Sequence, residues 1–265
     1  MRVHRVMNCK DWEDEEFIPG SYGSFKYDGV RGFYYPGERV LYSRDNKPLY
    51  GFDHIISDLR TRCNRTIDME LILPGYDDWN KMSGAIRNYQ QKPDGYAWVI
   101  DVPADNLVFE DRRDLILEVA SLSKYLLIMN QLKLTTLAQA NLMYEYAIQN
   151  GYEGIVAKTP GHRYKNQRSY HWMRKVPFIS VDCKVISIYP GKGKLAGAAG
   201  GMFVEAPTGA IWKVGTMKGV DFYDRADMLK NPGHYIGRTA EIHFKEYQPS
   251  GMPRQPRFKR WRLDK

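Results

Sequence analysis

The chain has few cysteines and no spacing typical of metal ligands. Its three cysteines, Cys9, Cys63 and Cys183, lie far apart in 265 residues, and none forms a Cys-x-x-Cys pair. The six histidines show no His-x-x-x-His spacing. These absences argue against a disulfide framework and a zinc site, and they favour a reducing cytoplasm. Any bound metal is therefore expected to be a hard ion with oxygen ligands.

Long apolar runs are also absent. No segment approaches the roughly 18 to 20 apolar residues that a membrane-spanning helix needs. The first residues, MRVHRVMNCKDWEDEEF, are charged and contain no apolar core of a secretion signal. Because 43% of the residues are apolar, the chain can still build a substantial core. We expect a soluble, cytoplasmic protein with no membrane partner.

Positive charge is plentiful and unevenly distributed. The chain has a formal net charge of +8 and a pI of about 9.2. Residues 177–265 contain 15 Lys and Arg against 8 Asp and Glu, a net charge of +7, which leaves +1 for the preceding residues. A polyanionic partner such as a nucleic-acid backbone would explain this segregation. An ordinary solvated basic domain is the alternative.

The pattern of predicted strands, helices and turns changes near residue 177, which predicts two domains. Up to residue 176, strands such as 66–73 and 98–102 are mixed with helices that start at Asp53 or cover 111–125 and 136–150. Beyond Pro177, short strands joined by glycine-rich turns are typical of a small barrel, with the oligonucleotide-binding (OB) fold as a natural candidate. The fold class is therefore α+β. A domain of antiparallel sheets and helices over 1–176 precedes an OB-fold barrel over 177–265.

The first cluster that suggests chemistry is Lys26-Tyr27-Asp28-Gly29-Val30-Arg31. A lysine between strands can act as a nucleophile if neighbouring cations or a metal lower its pKa from about 10.4. Arg31 is well placed to hold a phosphate or a nucleotide sugar. Taken alone, Lys-x-Asp-Gly is also compatible with an ordinary turn.

Further charged motifs follow Lys26 in a definite order. They are Ser43-Arg44, Asp68-Met69-Glu70-Leu71, Glu153-Gly154-Ile155-Val156-Ala157-Lys158, Trp172-Met173-Arg174-Lys175 and the segment from Arg257 to Lys265. In nucleotidyl transfer, carboxylates hold a divalent ion against a triphosphate, basic side chains neutralise phosphate charge, and a nucleophile attacks the α-phosphorus. The ordered set predicts this chemistry more strongly than any one member does.

This set resembles the motifs of the covalent nucleotidyltransferases and, within them, of the ATP-dependent DNA ligases. The resemblance spans residues 24–265, and the segment with Asn80, Ser83-Gly84 and Ile86-Arg87 is also similar to phage ligases. It implies an enzyme that uses ATP and Mg²⁺ to seal nicks in duplex DNA. Lys26 takes AMP from ATP, AMP passes to the 5′-phosphate at the nick, and the 3′-hydroxyl displaces it.

The resemblance also implies a role for each matching residue. Lys26 is the catalytic residue that forms the phosphoramidate with AMP. The other implied roles are nucleotide binding by Ser24, Arg31, Glu70, Trp98, Ile100, Lys158 and Arg174; metal binding by Asp28, Glu70 and Glu153; contacts with DNA phosphates by Arg44, Lys192 and Lys194; and orientation of pyrophosphate by Arg262, Asp264 and Lys265. Within this set, Lys158 and Arg174 are expected at the α-phosphate.

Three positions depart from the family pattern. Met69 stands between Asp68 and Glu70 where glycine is usual. The position that usually carries the aromatic stacked on adenine is Ile100, and Trp98 lies two residues earlier on the same strand face, so either residue could cover the base. The motif at the domain junction usually offers two lysines on one face; if Arg174 is the first, Val176 takes the place of the second, and Lys175 is expected to point away unless the strand is locally shifted.

Several alternatives accompany the ligase interpretation. An mRNA capping guanylyltransferase shares the lysine motif, an RNA ligase shares the chemistry, and a non-catalytic nucleic-acid-binding protein would keep only the fold. Since 25 residues precede Lys26, we expect no separate N-terminal DNA-binding domain, and we see no long insertion that could form a clamp. A monomer acting on nicked DNA is the expectation.

Overall fold

The computed structural model describes residues 6–12, 14–76, 78–88, 95–104 and 106–262. The chain divides into two compact units, Met1–Val176 and Pro177–Lys265. In the described ranges, no helix has both the length and the apolar character needed to cross a bilayer.

Within its described residues, the first unit combines two sheets with four helices. Its strands are β1 (Asn8–Asp11), β2 (Ser21–Lys26), β3 (Val30–Tyr34), β4 (Leu41–Ser43), β5 (Pro48–Leu49), β6 (Ile67–Ile72), β7 (Tyr96–Asp101), β8 (Leu126–Ile128), β9 (Leu132–Leu134), β10 (Gly154–Lys158) and β11 (Arg168–Lys175). Its helices are α1 (Asp53–Arg60), α2 (Trp79–Arg87), α3 (Phe109–Ala120) and α4 (Leu137–Gln149).

One sheet has the strand order β1-β11-β10-β2-β9. Helix α4 covers one of its faces, where Ala140 and Met143 pack in a core cluster with Ile155, Ala157 and Met173. Because side chains alternate along a strand, the neighbouring residues of β10 and β11 project from the other face.

The other sheet of this unit has the order β5-β4-β3-β6-β7-β8. Its core side contributes residues such as Met69 and Val99, and they pack with Ile55, Ile86 and Ile116 from helices α1, α2 and α3. Strands β2 and β3 are consecutive in sequence and belong to different sheets, so the Lys26 motif lies where the chain passes from one sheet to the other.

The second unit is a six-stranded sheet with one helix. Its elements are β12 (Ile179–Pro190), β13 (Ala199–Glu205), β14 (Ile211–Val214), β15 (Thr216–Met217), α5 (Phe222–Lys230), β16 (Thr239–Phe244) and β17 (Arg257–Trp261). The strand order is β14-β13-β12-β16-β17-β15. The core on one side of β16 contains Ala240, Ile242 and Phe244 together with Trp212.

The predicted helices agree with the structure to different degrees. Helix α4 lies within the predicted 136–150, with Thr136 accepting a hydrogen bond from Gln139 N at its start. Helix α3 ends five residues before the predicted 125, since the Ser121 hydroxyl bonds back to Glu118 O and the chain turns towards β8. Helices α2 and α5 and strands β1, β5, β8, β9, β15 and β17 were not predicted.

Candidate active site

The register of the first sheet places the predicted site residues on the face opposite α4. Lys26 pairs with Gly154, and Ser24 and Arg174 lie on either side of Val156. Directly paired residues project from the same face of a sheet. Lys26, Ser24 and Arg174 therefore share one face, although they are up to 150 residues apart in sequence.

Lys26 is held by carboxylates. Its amine donates a short hydrogen bond to Glu153 Oε2, and Glu153 N donates to Lys26 O at 2.9 Å, so both backbone and side chain join these residues. Burial lowers the pKa of Lys26, but the negative charges of Glu153 and Glu70 outweigh it and raise the pKa above 10.5. The sequence left open whether neighbouring cations or a metal lower this pKa. The structure instead surrounds the amine with acids that keep it protonated.

Glu70 projects towards Lys26 from the neighbouring sheet. Its Oε1 accepts a hydrogen bond from Gly29 N at 3.2 Å. Burial raises the pKa of Glu70 to about 7, against the lowering effect of Lys26 and Arg31. A Cβ at Gly29 would lie 2.6 Å from Leu71 O, so only glycine allows the backbone to come this close to β6.

Arg31 is oriented by Asp68 on the adjacent strand. Its Nε and Nη2 donate to the two oxygens of Asp68 at 2.8 and 2.6 Å, and its Nη1 donates to Asn8 Oδ1 at 3.4 Å. The Tyr164 hydroxyl donates to the same aspartate at 3.0 Å. Asp68 is fully buried, and its position fixes the guanidinium beside Glu70, the residue opposite Arg31 in the β3–β6 register. The predicted shared face of Asp68 and Glu70 is confirmed, since Ile67, Met69 and Leu71 point to the core.

Lys158 lies deeper in the fold than Lys26. It is 2% exposed, its amine donates to Ile100 O at 2.5 Å, and it is 3.8 Å from Asp101 Oδ2. Burial lowers the pKa of Lys158 to about 8. The fully buried Arg112 holds Asp101 with two hydrogen bonds of 2.8 and 3.2 Å. Lys158 is opposite Tyr22, four residues along β2 from Lys26, and its contact with the α-phosphate stays a prediction.

The two candidates for covering the base have different neighbours. Trp98 stacks on Tyr27 with ring centroids 4.2 Å apart and planes 18° apart. Ile100 packs against a buried cluster that includes Met7, Tyr164 and Trp172. Both residues keep an intermediate exposure, and the choice between them stays open.

The end of β11 separates its two basic residues. Arg174 Nε donates to Asp11 Oδ1 at 2.8 Å on the side of the sheet that carries Lys26. Lys175 Nζ donates to Asp14 at 2.6 Å and to Asn141 of α4 at 2.7 Å. Lys175 therefore points to the helix side, as strand alternation predicts.

The remaining predicted residues lie in exposed loops or in the second unit. Arg44 is exposed in the turn between β4 and β5 and is 3.9 Å from Asp45. Lys192 and Lys194 are exposed between β12 and β13, and Asp28 is exposed between β2 and β3. Arg262 contacts two acids of the second unit. Asp264 and Lys265 lie outside the described residues.

Sequence reasoning missed the contribution of the first strand. Through Asn8 and Asp11, β1 contacts Arg31 and Arg174, and Met7 is fully buried behind them. These residues match no motif, and their parallel pairing with β11 joins segments about 160 residues apart. No local pattern signals such a pairing.

The carboxylates near Lys26 can supply some, but not all, of the ligands of a magnesium ion. Among the described residues, no group of three or more His, Cys, Asp or Glu side chains is arranged to hold a metal. Mg²⁺ is commonly bound through one or two carboxylates together with phosphate oxygens and waters. Glu153 and Glu70, which both act on Lys26, can supply that smaller share.

Comparison with known families gives two matches. Residues 99–176 match the family described as the ATP-dependent DNA ligase domain, and residues 190–262 match the DNA ligase OB-like domain. Together the two matches cover more than half of the chain. They fall in the first and the second unit respectively.

Two phage proteins are related to this chain in sequence. The DNA ligase of Enterobacteria phage T4 is 30% identical over 152 residues, which cover 54% of this chain and 31% of the phage protein. The DNA ligase of phage T6 is 31% identical over the same length. The chain thus spans about a third of the length of these relatives.

Solved structures share the fold over nearly the whole chain. A Lig E DNA ligase has a TM-score of 0.72 at 21% identity, and the match covers 97% of this chain and 99% of that one. The bacteriophage T7 ATP-dependent DNA ligase, solved with ATP, has a TM-score of 0.57 at 18% identity and covers 98% and 99%. At these identities the likeness establishes the fold, and it confirms the predicted class.

Proposed function

The chain belongs to the ATP-dependent DNA ligase family, and on that premise we propose that it seals nicks in duplex DNA through an AMP-carrying Lys26. The observation that carries the proposal is the placement of Lys26 between two acids, Glu153 and Glu70, on a sheet face shared with Ser24 and Arg174. A partly buried amine that is hydrogen-bonded to a proton acceptor is the arrangement that a lysine nucleophile needs.

Proton transfer from Lys26 is assigned to Glu153. An amine attacks phosphorus only when it is neutral, and the carboxylates keep Lys26 protonated as the residues stand. Glu153 is already hydrogen-bonded to the amine and is placed to take the proton when attack begins. Magnesium, held by Glu153 and Glu70 with the phosphates, would supply positive charge against the leaving pyrophosphate.

Nucleotide binding is assigned to the residues around this centre. Arg31, fixed by Asp68 and Asn8, supports the ribose together with Glu70. Trp98 and Ile100 are the candidates for the base, and Lys158 and Arg174 are the candidates for the α-phosphate. The first unit acts as the adenylation domain in this proposal, and the second as an OB domain.

DNA is the proposed partner of the basic residues. The second unit has a net charge of +7, and Lys192 and Lys194 are exposed on it. Arg44, exposed on the first unit, is proposed to contact the 5′-phosphate side of the nick. We propose a monomer that works in the cytoplasm, where the three free cysteines stay reduced.

The test is to label the protein with α-labelled ATP or GTP and Mg²⁺, and then to add nicked duplex DNA. We expect label from ATP only, and we expect the DNA to remove it as sealed product appears. Lys26→Ala should take no label, whereas Lys133→Ala, which alters an exposed lysine on β9 of the same sheet, should behave as the wild type.

Each other outcome points elsewhere. Label from GTP would favour a capping guanylyltransferase, and label that only nicked RNA removes would favour an RNA ligase. A wild type that takes no label, or a labelled Lys26→Ala, would contradict the covalent mechanism.

A further inference from the structure

A buried carboxylate lies at the centre of a polar cluster in the second unit. On β16, Ala240, Ile242 and Phe244 face the core, so Glu241 and His243 project from the opposite side. Only 10% of the Glu241 side chain is exposed. A carboxylate removed from water in this way is unfavourable unless hydrogen-bond donors compensate it.

Four donors reach Glu241. Ser180 Oγ and His243 Nε2 donate to Oε1 at 2.8 and 2.7 Å, and Arg260 Nε donates to Oε2 at 2.7 Å. Arg262 Nη1 donates to Oε2 at 3.4 Å. Burial raises the pKa of Glu241, but the hydrogen bonds from His243, Arg260 and Ser180 outweigh it and bring the pKa to about 2. The carboxylate is therefore charged throughout the physiological range.

The fourth donor, Arg262, is held in place by contacts of both its side chain and its backbone. Besides its bond to Glu241, its Nε is 3.8 Å from Asp182 Oδ1, and its backbone N donates to Thr239 O at 2.9 Å. Its side chain is 21% exposed, compared with 64% for Arg260. A long side chain fixed between two carboxylates from neighbouring strands has few rotamers left, so its guanidinium points in a defined direction.

We propose that Glu241 is a positioning residue for Arg262, and that it is needed for the transfer of AMP to Lys26 but not for the final sealing step. The inference rests on the proposed function and on the role that the ligase resemblance implies for Arg262, the orientation of pyrophosphate, which leaves in the first step. A fixed direction of the guanidinium supports that role because catalysis depends on groups that are placed before the reaction. Glu241 itself does not contact the nucleotide.

The test separates the two chemical steps with Glu241→Gln. The rate of label transfer from α-labelled ATP reports the first step, and the rate of sealing nicked DNA that already carries AMP on its 5′-phosphate reports the last step without ATP. We expect the first rate to fall at least tenfold and the second to stay within threefold. Glu246→Gln is the matched control, because Glu246 is an acid of the same unit that pairs with another arginine, Arg254.

A double-mutant cycle tests whether Glu241 acts through Arg262. If it does, Glu241→Gln should lower the first rate little further in an Arg262→Ala background, whereas independent effects would multiply. Thermal unfolding of each variant checks the fold. Asp182→Asn removes the charge of the other acid near Arg262, and it should lower the rate of label transfer by a smaller factor. This variant replaces Glu241→Gln in the test if Glu241→Gln does not fold.

The outcomes that overturn the inference are distinct. Three results would each reject the positioning role while the ligase function stands. The first is unchanged label transfer in a folded Glu241→Gln, and the second is an equal fall of both rates. The third is a double variant whose loss of label transfer equals the product of the losses in the two single variants. A wild type that takes no label at all would reject the ligase function first, and this inference with it.

Discussion

At the scale of single residues, acids around a lysine define the candidate site. Glu153 bonds the amine of Lys26, Glu70 lies close enough to influence its pKa, and Asp68 fixes Arg31 next to them. Burial raises the pKa of Glu70 to about 7, and the nearby charges of Glu153 and Asp68 add to that rise. Burial also raises the pKa of Asp68.

This shift makes stability depend on pH through Glu70. Its pKa rises from 4.5 in the unfolded chain to about 7 in the fold, chiefly by burial, so the folded state binds the proton more tightly. The stabilising contribution is full below pH 4.5 and is lost as the pH rises to 7. We therefore expect the wild type to lose stability relative to Glu70→Gln between pH 5 and pH 8.

Denaturant unfolding, followed by tryptophan fluorescence at pH 5 and at pH 8, measures the difference in the free energy of unfolding between the wild type and Glu70→Gln. Glu145→Gln, which removes an exposed carboxyl from α4, reports any general effect of losing one acid. A difference between wild type and Glu70→Gln that stays constant across this range would show that Glu70 is not the group that titrates.

At the scale of elements, β10 organises the site. It pairs with β2 on one side and β11 on the other, and so places Lys26 of β2 and Arg174 of β11 on the same face of the sheet. Gly154 opens this strand with φ of +139°, and a Cβ there would lie 2.1 Å from Lys175 O. The backbone geometry at Gly154 thus sets the position of the preceding Glu153.

Replacing this glycine should damage stability and activity together. We expect Gly154→Ala to destabilise the protein by about 2 to 4 kcal/mol, from backbone strain and overpacking. The rate of label transfer should fall at least tenfold because Glu153 shifts away from Lys26. Thermal unfolding and the labelling assay measure the two effects.

Gly84 provides the matched comparison. It is exposed inside α2, has an ordinary φ, and its added Cβ would meet nothing within 4 Å. Gly84→Ala should stabilise the protein by about 0.5 to 1 kcal/mol through helix propensity. Equal effects of the two substitutions would refute the special role of Gly154.

The sequence predicts the local elements of this fold better than the distant pairings. Helix α4 is readable because Thr136 caps it and Gly151 follows its end. Helix α5 also carries a readable signal, a capping box between Asp221 and Asp224, which the apolar pattern alone did not reveal. Strand β1 has no such signal, since its partner is fixed only by the assembled sheet.

The same division applies to the candidate site. The motif resemblance singles out Lys26 and Glu153, and the structure places them in contact. The roles of Asp11 and Asn8 could not be predicted, because a polar residue in a short strand has the same local sequence pattern whether its side chain faces water or contacts an arginine. The burial of Lys158 is also unreadable in sequence, since it depends on Asp101 and the backbone oxygen of Ile100, which contact its amine from β7.

At the scale of the whole molecule, charge is the dominant feature. The second unit contains +7 of the net +8, and its exposed lysines include Lys192 and Lys194. Contacts with phosphates release counterions, so the logarithm of affinity falls linearly with the logarithm of salt concentration.

This gives a direct measure of which lysines bind DNA. For the double variant Lys192→Ala and Lys194→Ala, we expect the salt slope of binding to nicked duplex to shrink by about 2. Lys133→Ala should leave the slope unchanged. Fluorescence anisotropy at several salt concentrations measures the slopes, and an unaltered slope in the double variant would place the DNA elsewhere.

The wide separation of the strands around Lys26 has a consequence for synthesis of the protein. The residues that complete the site are Asp11 at one extreme and Arg174 at the other, and they are joined by an ion pair between strands β1 and β11. Pairings between such distant segments form late, because a long loop must close before they can contribute. In the proposed mechanism, the nucleophile Lys26 is made early in synthesis, whereas the sheet that holds it is complete only after β11 has emerged. On that proposal, charging of Lys26 with AMP has to wait for the last strand of the first unit.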